Sequence, residues 1–372
     1  MGTIKRNFSN NVTPTGKFDS ADLTGTIPAA NVADASLTNI TSVPATVGDF
    51  VQKVASDPSP VSAGDLWYNT TSNTLKANVF QAAAWASGGN LGTARYQLGG
   101  AGNSNSSAVV FGGFNGSTGF TATEEYNGTS WAGGGSLPSQ KRGMANAGTQ
   151  TSALSGGGFT GGSPFVVTTT EEYDGSSWTS GGSLSTKRGF LGGCGLQTAA
   201  LAVGGASDVP AWVNDVTNVE SYNGTAWTSG TALPQAQRGN RPVGTTTAAL
   251  NIGGLKSPGP GVQISQEYDG STWTAAGNII TTRYGGGASG IQTSAIFFGG
   301  GTPPGPQSAA TERYDGTSWA SDTSLSSVIF NNASSISSPS SNSLSAGGGA
   351  PATASTEEYT GATLATQTVT TS

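Results

Sequence analysis

Residues 171–190 read "EEYDGSSWTSGGSLSTKRGF", and close copies stand at 124–144, "EEYNGTSWAGGGSLPSQKRGM", and 266–286, "QEYDGSTWTAAGNIITTRYGG". Aligned on the tryptophan the copies become six, at Trp85, Trp131, Trp178, Trp227, Trp273 and Trp319, spaced 46, 47, 49, 46 and 46 apart, with Leu364 a further 45 on. Self-similarity at that period marks an array of equal supersecondary units. Five residues before each of these positions comes an aromatic: Phe80, Tyr126, Tyr173, Tyr222, Tyr268, Tyr314 and Tyr359. A catalytic centre needs its residues once, so a motif written six times reads as architecture.

Between tyrosine and tryptophan lie Asn127-Gly128, Asp174-Gly175, Asn223-Gly224, Asp269-Gly270 and Asp315-Gly316, dipeptides that tolerate positive φ in a tight hairpin. Tyrosine and tryptophan are therefore expected on adjacent antiparallel strands. Asn127 and Asn223 also begin Asn-Gly-Thr glycosylation sequons, but they recur because the turn recurs. Each unit carries an earlier hairpin whose second strand ends in Gly-Gly: "SAVVFGG" (107–113), "SALSGGG" (152–158), "AALAVGG" (199–205), "AALNIGG" (248–254), "SAIFFGG" (294–300) and "NSLSAGG" (342–348). An arginine precedes five of the Gly-rich first strands, at Arg95, Arg142, Arg188, Arg238 and Arg283; the sixth unit has "SSVIFNNASS" there. Small residues on the first two strands and Tyr and Trp on the last two fit a propeller blade, whose inner strands converge on an axis and whose outer strands splay.

Composition agrees with an all-β chain. Of 372 residues 58 are Gly and only 10% are charged, leaving little material for amphipathic surface helices. A net charge of -6 with only 15 Lys and Arg argues against a nucleic-acid surface. There is no histidine, and Cys194 is the only cysteine, so no intramolecular disulfide and no Cys/His zinc site can form. Cys194, in "FLGGCGLQTAAL", reads as a small buried residue. The start "MGTIKRNFSNNVTPTG" has no apolar stretch after its basic pair and is not read as a secretory signal. No apolar run approaches the ~20 residues of a spanning helix, so no membrane insertion is expected.

The order Gly-Gly, Glu two before Tyr, Trp, then Arg-Gly resembles the kelch repeat of β-propellers over about residues 80–364. The resemblance implies an all-β, kelch-like β-propeller. Its strands are poorer in aliphatics than usual kelch units, and its last unit lacks the Trp and the Arg. Six blades are expected, with seven as the alternative, because "GDLWYNTTSNTLKANVFQAAAW" (64–85) adds a Phe80/Trp85 hairpin and a strand near Leu66–Tyr68, readable as a partial blade or a strap. The domain reading is an N-terminal assembly arm at 1–60, a linker meander or partial blade at 61–87, and the propeller at 88–372.

Residues 1–60 lack the repeat and have too few large apolar residues to bury a core. Such an arm makes sense if it orders on copies of itself or on a larger particle. Within it "VGDFVQKVA" (47–55) is expected to form two helical turns and "SDPSPVSAG" (56–64) a hinge. "FDSADLTGTIPAANV" (18–32) and "GDLWYNTTSNTLK" (64–76) resemble segments of tailed-bacteriophage fibre and virion-appendage proteins, and the "LSTKRG" and "QTAAL" phrases are similar to arrays in phages of marine bacteria and cyanobacteria. That resemblance implies a protein made in a host cytoplasm and carried on the virion as a homo-oligomer, attached to other virion proteins through its arm.

Catalysis finds little support. Kelch propellers include galactose-oxidase-like enzymes, but the absence of histidine removes that copper site and any Ser/His/Asp triad. The acids are mostly the repeated Glu124, Glu171, Glu220, Glu312 and Glu357, with Gln266 in the remaining unit; these are expected to pair with the repeated arginines or to accept backbone hydrogens. Gly16-Lys17 lacks the spacing of a phosphate loop. No cofactor and no metal is expected. The links from strand two to strand three vary where all else is copied, which marks their face for recognition. The ligand-binding candidates there are Trp212 and Phe165, for stacking on a sugar, and Arg142, Arg188, Arg238 and Arg283, for acidic groups. The functional expectation is a receptor-binding appendage for a host-surface glycan or protein; the alternatives are a capsid- or tail-decorating structural protein and, third, a polysaccharide-degrading enzyme.

Overall fold

The computed structural model describes residues 52–369 apart from 63, 162–164, 208–213, 257–258, 260, 303–304 and 350. These residues form strands and turns and contain no helix. They divide into two compact units, Ala83–Gly361 and the chain on either side of it. The larger unit is an all-β propeller of six four-stranded antiparallel sheets. Blade one consists of Gly99–Ser104, Ser107–Phe111, Thr123–Tyr126 and Trp131–Gly134, in that spatial order. The innermost strands of the next five are Ala145–Thr149, Gly192–Leu196, Arg241–Gly244, Gly287–Ile291 and Ala333–Ser334. Each packs on the next, and the last on the first.

Small residues permit that convergence. A Cβ on Gly100 would come within 2.7 Å of the Ser334 carbonyl oxygen, and one on Gly193 within 2.5 Å of the Asn146 nitrogen. The inner strands are further tied by a closed ring of backbone bonds. Gly143 donates to Gln97, Phe190 to Gly143, Gly239 to Phe190, Gly285 to Gly239, Asn331 to Gly285 and Gln97 to Asn331, over 2.6 to 2.8 Å. All six residues are left-handed, with φ between 51° and 64°. Gln97, Phe190 and Asn331 hold that conformation without being glycine, a strain of about 1 kcal/mol or more each that the ring must over-determine.

The repeated aromatics join neighbouring blades. Each tyrosine lies opposite its tryptophan across the outer strand pair, as Tyr173 does Trp178, and ring centroids are 4.6 to 5.2 Å apart. Each of the six repeat tryptophans then donates its indole N–H to the preceding blade: Trp131 to Thr356, Trp178 to Thr123, Trp227 to Thr170, Trp273 to the Thr231 carbonyl, Trp319 to Ser265 and Trp85 to Thr311. The phenols do likewise, Tyr126 to Glu358, Tyr173 to Glu125, Tyr222 to Glu172, Tyr314 to Glu267 and Tyr359 to Asp322. Tyr268 is the exception, donating to the Gly270 carbonyl. In the connecting turns only the glycine is left-handed, while the preceding Asn or Asp accepts two backbone N–H groups, as Asp174 does from Ser176 and Ser177. That is why the turn is written with either Asn or Asp.

Ring closure resolves the defective last repeat. Blade six is Ala333–Ser334, Asn342–Ala346, Thr356–Thr360 and, as its outermost strand, Ala84–Ser87 from the other end of the array. Trp85 is paired with Tyr359, so the tryptophan missing from the sixth repeat is supplied from before the first. Leu364, expected in that place, instead pairs with Phe80 in the smaller unit. The expected Phe80/Trp85 hairpin does not form, because its two halves belong to different sheets.

That smaller unit is a four-stranded sheet of Gln52–Val54, Leu66–Asn69, Thr74–Gln81 and Thr363–Thr368, its first pair parallel and the others antiparallel. The described part of the expected helix at 47–55 is thus a strand, since Gln52–Val54 finds a pairing partner in Trp67–Asn69; residues 47–51, like the rest of the arm, lie outside the described residues. Nor is 56–64 a bare hinge, because Asp57 accepts hydrogen bonds from Trp67, Asn69 and Lys76. The Lys76 bond first, then those from Asn69 and Trp67, holds its carboxyl at about 2.

Trp85→Ala is expected to lower stability by about 3 kcal/mol, the low end for truncating a packed aromatic, and Leu364→Ala by less than about 0.5 kcal/mol; equal shifts in urea midpoints would refute closure through Trp85. Burial, aided by the neighbouring carboxylate, pushes the phenols of Tyr126, Tyr173 and Tyr314 up to about 12. A raised acid keeps its proton longer in the folded state. Its contribution is therefore intact below about pH 10 and is lost as pH climbs towards 12. Absorbance titration at phenolate wavelengths should show these tyrosines ionising together with alkaline unfolding rather than before it.

Candidate functional site

The approach to each innermost strand sets a cation at the neck of the blade. Arg95 pairs with Glu124 at 2.6 Å, Arg188 with Glu220 at 2.9 Å and Arg283 with Glu312 at 2.6 Å, and all three arginines are 0% exposed. Arg95 also donates to the Gly112 and Ala122 carbonyls, and Arg188 and Arg283 repeat the pattern. The Gly-Gly after strand two makes this possible: Gly112 and Gly113 have φ of 64° and 100°, and a Cβ on Gly112 would lie 2.3 Å from the Lys141 carbonyl oxygen. The second carboxylate oxygen holds the entering backbone, Gly92 N–H on Glu124 and Ser185 N–H on Glu220. The expected structural role of the repeated glutamates is what these bonds display. Arg188 and Arg283 are accordingly removed from the binding candidates, their guanidinium groups being consumed inside the blade.

Blade two departs from the pattern by one residue. Its neck pair is Lys141 with Glu171, and Lys141 also donates to the Thr169 carbonyl. Arg142 is shifted to the next position, which in the other blades is held by Tyr96, Gly189, Arg238, Tyr284 and, beside Asn331, Phe330. The two "KRG" triplets at 141–143 and 187–189 look alike but stand in different register. Counting forward from the tryptophan separates them: Arg95, Lys141, Arg188, Gln237, Arg283 and Ile329 each lie ten residues on, whereas Arg142 and Arg238 lie eleven on. Arg238 is held by Asp215 of its neighbouring link, so it too is engaged in structure.

Arg142 has no carboxylate partner among the described residues. Its backbone exchanges both hydrogen bonds with Phe159, and its guanidinium carbon lies 3.7 Å from the centre of the Phe114 ring. Burial holds the guanidinium below the usual arginine value, the Tyr96 phenol acting in the opposite sense. Around it opens a cleft of about 370 Å³, within the range of small-ligand sites. Its walls are the two-to-three links of blades one and two, with Phe114, Ser117 and Thr118 on one side and Phe159, Thr160 and Phe165 on the other. Gln140 sits between them, where Cβ atoms on Gly119 and Gly161 would come within 2.4 and 1.9 Å of its amide. Phe165 is 49% exposed.

Of the sequence candidates, the structure brings Arg142 and Phe165 into this one cleft. It buries Arg188 and Arg283 and pairs Arg238 elsewhere. Trp212 lies outside the described residues. Phe114 and Gln140 are missed by the sequence reading, although Phe114 opens one of the variable links from strand two to strand three. Cys194 is buried in the innermost strand of blade three, and burial alone pushes its thiol up to about 12.

The two kinds of arginine are separable by stability. Glu220→Ala strands a buried guanidinium and is expected to cost about 3–5 kcal/mol. Arg142→Ala forfeits a single cation–π contact and should cost under about 1 kcal/mol, as read by urea unfolding of both variants.

No family model matches the chain, and no curated protein is similar to it in sequence. Among solved structures the fold is similar to that of YjhT, a kelch-type β-propeller, with a TM-score of 0.60 at 16% identity over 74% of this chain and 99% of that one. At that identity the likeness is one of fold, that of a kelch-like β-propeller.

Proposed function

We propose that the protein is a virion appendage of a tailed phage whose propeller binds an acidic host-surface glycan in the cleft between blades one and two. The observation that carries the ligand class is Arg142, the cleft's unpaired cation, set among aromatic rings. Such a guanidinium offers bidentate hydrogen bonds to a carboxylate or sulfate. The exposed ring of Phe165 offers an apolar face to a pyranose, and Ser117, Thr118, Gln140 and Thr160 offer donors and acceptors for hydroxyls. Among the described residues no Asp or Glu lines the cleft, whereas glycoside cleavage uses a facing carboxyl pair; this favours binding over hydrolysis. The appendage reading rests on the resemblance of residues 18–32 of the arm and of residues 64–76 to phage fibre segments, and a small sheet unit in the same chain as a larger propeller suits an anchor joined to a recognition domain. Many copies on one particle would multiply a weak single-site affinity.

The full-length protein, fluorescently labelled, is expected to be retained saturably on a panel of marine bacterial and cyanobacterial cells. Arg142→Ala and Phe165→Ala should each weaken retention about tenfold or more, the scale of one lost charged hydrogen bond or stacking contact. Retention unchanged in both variants would place recognition elsewhere. Retention on no cell of a panel that contains the host would leave a decorating role, and release of sugars into the medium would mean an enzyme.

A further inference from the structure

Three Asn-Gly pairs have an exposed asparagine: Asn115-Gly116, Asn127-Gly128 and Asn223-Gly224. Such a pair can react with itself. The glycine nitrogen attacks the asparagine Cγ, the Cγ–Nδ2 bond breaks, and ammonia leaves with the proton the glycine nitrogen gives up, so that a five-membered imide remains. Water then opens either C–N bond of the imide, giving aspartate or its β-linked isomer. Two conditions favour the step: a glycine backbone free to turn towards Cγ, which a side chain would hinder, and donors around Oδ1, which carries the negative charge as the nitrogen adds.

The tip of the blade-one link meets both. Asn115 Oδ1 accepts the Ser117 N–H at 2.9 Å, the Ser117 hydroxyl at 3.0 Å and the Thr118 N–H at 2.7 Å, three donors already set about the oxygen on which charge develops. Gly116 has a φ of 104°, and a Cβ there would meet nothing within 4 Å. The two hairpin turns meet the conditions less well. Asn127 and Asn223 each accept two backbone N–H groups at 2.9 and 3.0 Å and, among the described residues, no hydroxyl. Their glycines are seated against the adjacent hairpin, the Cβ position of Gly128 lying 3.0 Å from Ser106 and that of Gly224 3.3 Å from Thr198. The pairs Tyr126–Trp131 and Tyr222–Trp227 clamp the ends of those turns. We propose that Asn115 is a modification site, an asparagine that converts itself to aspartate and isoaspartate ahead of Asn127 and Asn223.

The site of conversion matters because Phe114, Ser117 and Thr118 line the cleft of Arg142. A carboxylate at 115 would stand on the link that walls the cleft, near its cation, and Asp215 shows what an acid in such a link does, engaging Arg238. Conversion at 127 or 223 would be silent in the fold, since Asp174, Asp269 and Asp315 already make the same turn in other blades. Affinity for acidic ligands would therefore fall as the protein ages; that consequence, unlike the chemistry, rests on the proposed reading of the cleft.

The test holds the full-length protein at mildly alkaline pH and follows its peptides by mass spectrometry. Asn115 is expected to gain one mass unit before Asn127 and Asn223 do, with both aspartate isomers formed, as opening of an imide requires. Ser117→Ala, which removes the hydroxyl donor and keeps the N–H, should slow the conversion about fivefold, the scale of one neutral hydrogen bond; Gly116→Ala should slow it by at least as much. Equal rates at the three asparagines, conversion of Asn127 or Asn223 first, or an Asn115 that stays an amide would overturn the proposal. Asn115→Asp should keep the melting midpoint and be retained about twofold less on cells, the scale of one exposed charge near another in water. Equal retention of Asn115→Asp, with Arg142→Ala still impaired, would overturn the consequence alone; full retention of Arg142→Ala would instead remove the cleft reading.

Discussion

The propeller depends on each blade handing the polar edge of its outer aromatics to the blade before it. A buried indole N–H or phenol without a partner is costly, so Tyr and Trp can fill the widening space between blades only where the neighbour supplies an acceptor. That acceptor is written into the repeat itself: the Thr or Ser that opens strand three receives five of the six indoles, and the acid just before the tyrosine receives four of the six phenols. Each "TEEY" therefore serves three directions. Its Thr and second Glu face the next blade, its first Glu faces the neck of its own, and its Tyr faces the blade behind. The tyrosine recurs in all six units and the full four letters in three, at 123–126, 170–173 and 356–359, and that recurrence follows from the division of labour.

Much of this was legible in the chain. The period, the turn dipeptides and the small-then-large order of strands led to a six-bladed ring, because each reports a local constraint that six units share. What failed were the features that a linear reading cannot separate from the repeat. Leu364 lies at the distance where a tryptophan is due, but ring closure recruits Trp85 across the whole array, and spacing alone does not distinguish the end of an array from its beginning. The identical "KRG" triplets hide a one-residue slip, because Lys141 is long enough to take the neck position and frees Arg142 to turn outward.

The slip matters because exceptions to a structural repeat are where function has room. A residue needed by every blade is bound by every blade, as Arg188 and Arg283 show. Blade four makes the complementary exchange: Gln237 and Gln266 replace the cation and the acid of the neck together, so the pair loses its charge without stranding a partner. The amide of Gln237 is then buried with neither end hydrogen-bonded, a penalty of about 1–3 kcal/mol. The same blade brings Arg241 to the axis, where the other five carry Gly or Ala.

In the proposed reading, blades one and two differ from the rest in a way that would concentrate recognition. Their links bring Phe114 and Phe165 to either side of a neck whose charge is already balanced by Lys141 and Glu171, so Arg142 adds a net positive charge to a cleft with aromatic walls. A ligand that enters exchanges its own solvation for that charge without competing against an internal carboxylate, which is the condition under which a guanidinium selects an anion rather than merely stabilising a fold. In blade three the neck is balanced by Arg188 and Glu220, and the outward arginine beside that link, Arg238, is taken by Asp215. One aspartate in a variable link thus separates a pinned loop from an open site, and variation among links is how a six-fold structure presents a surface that is not six-fold.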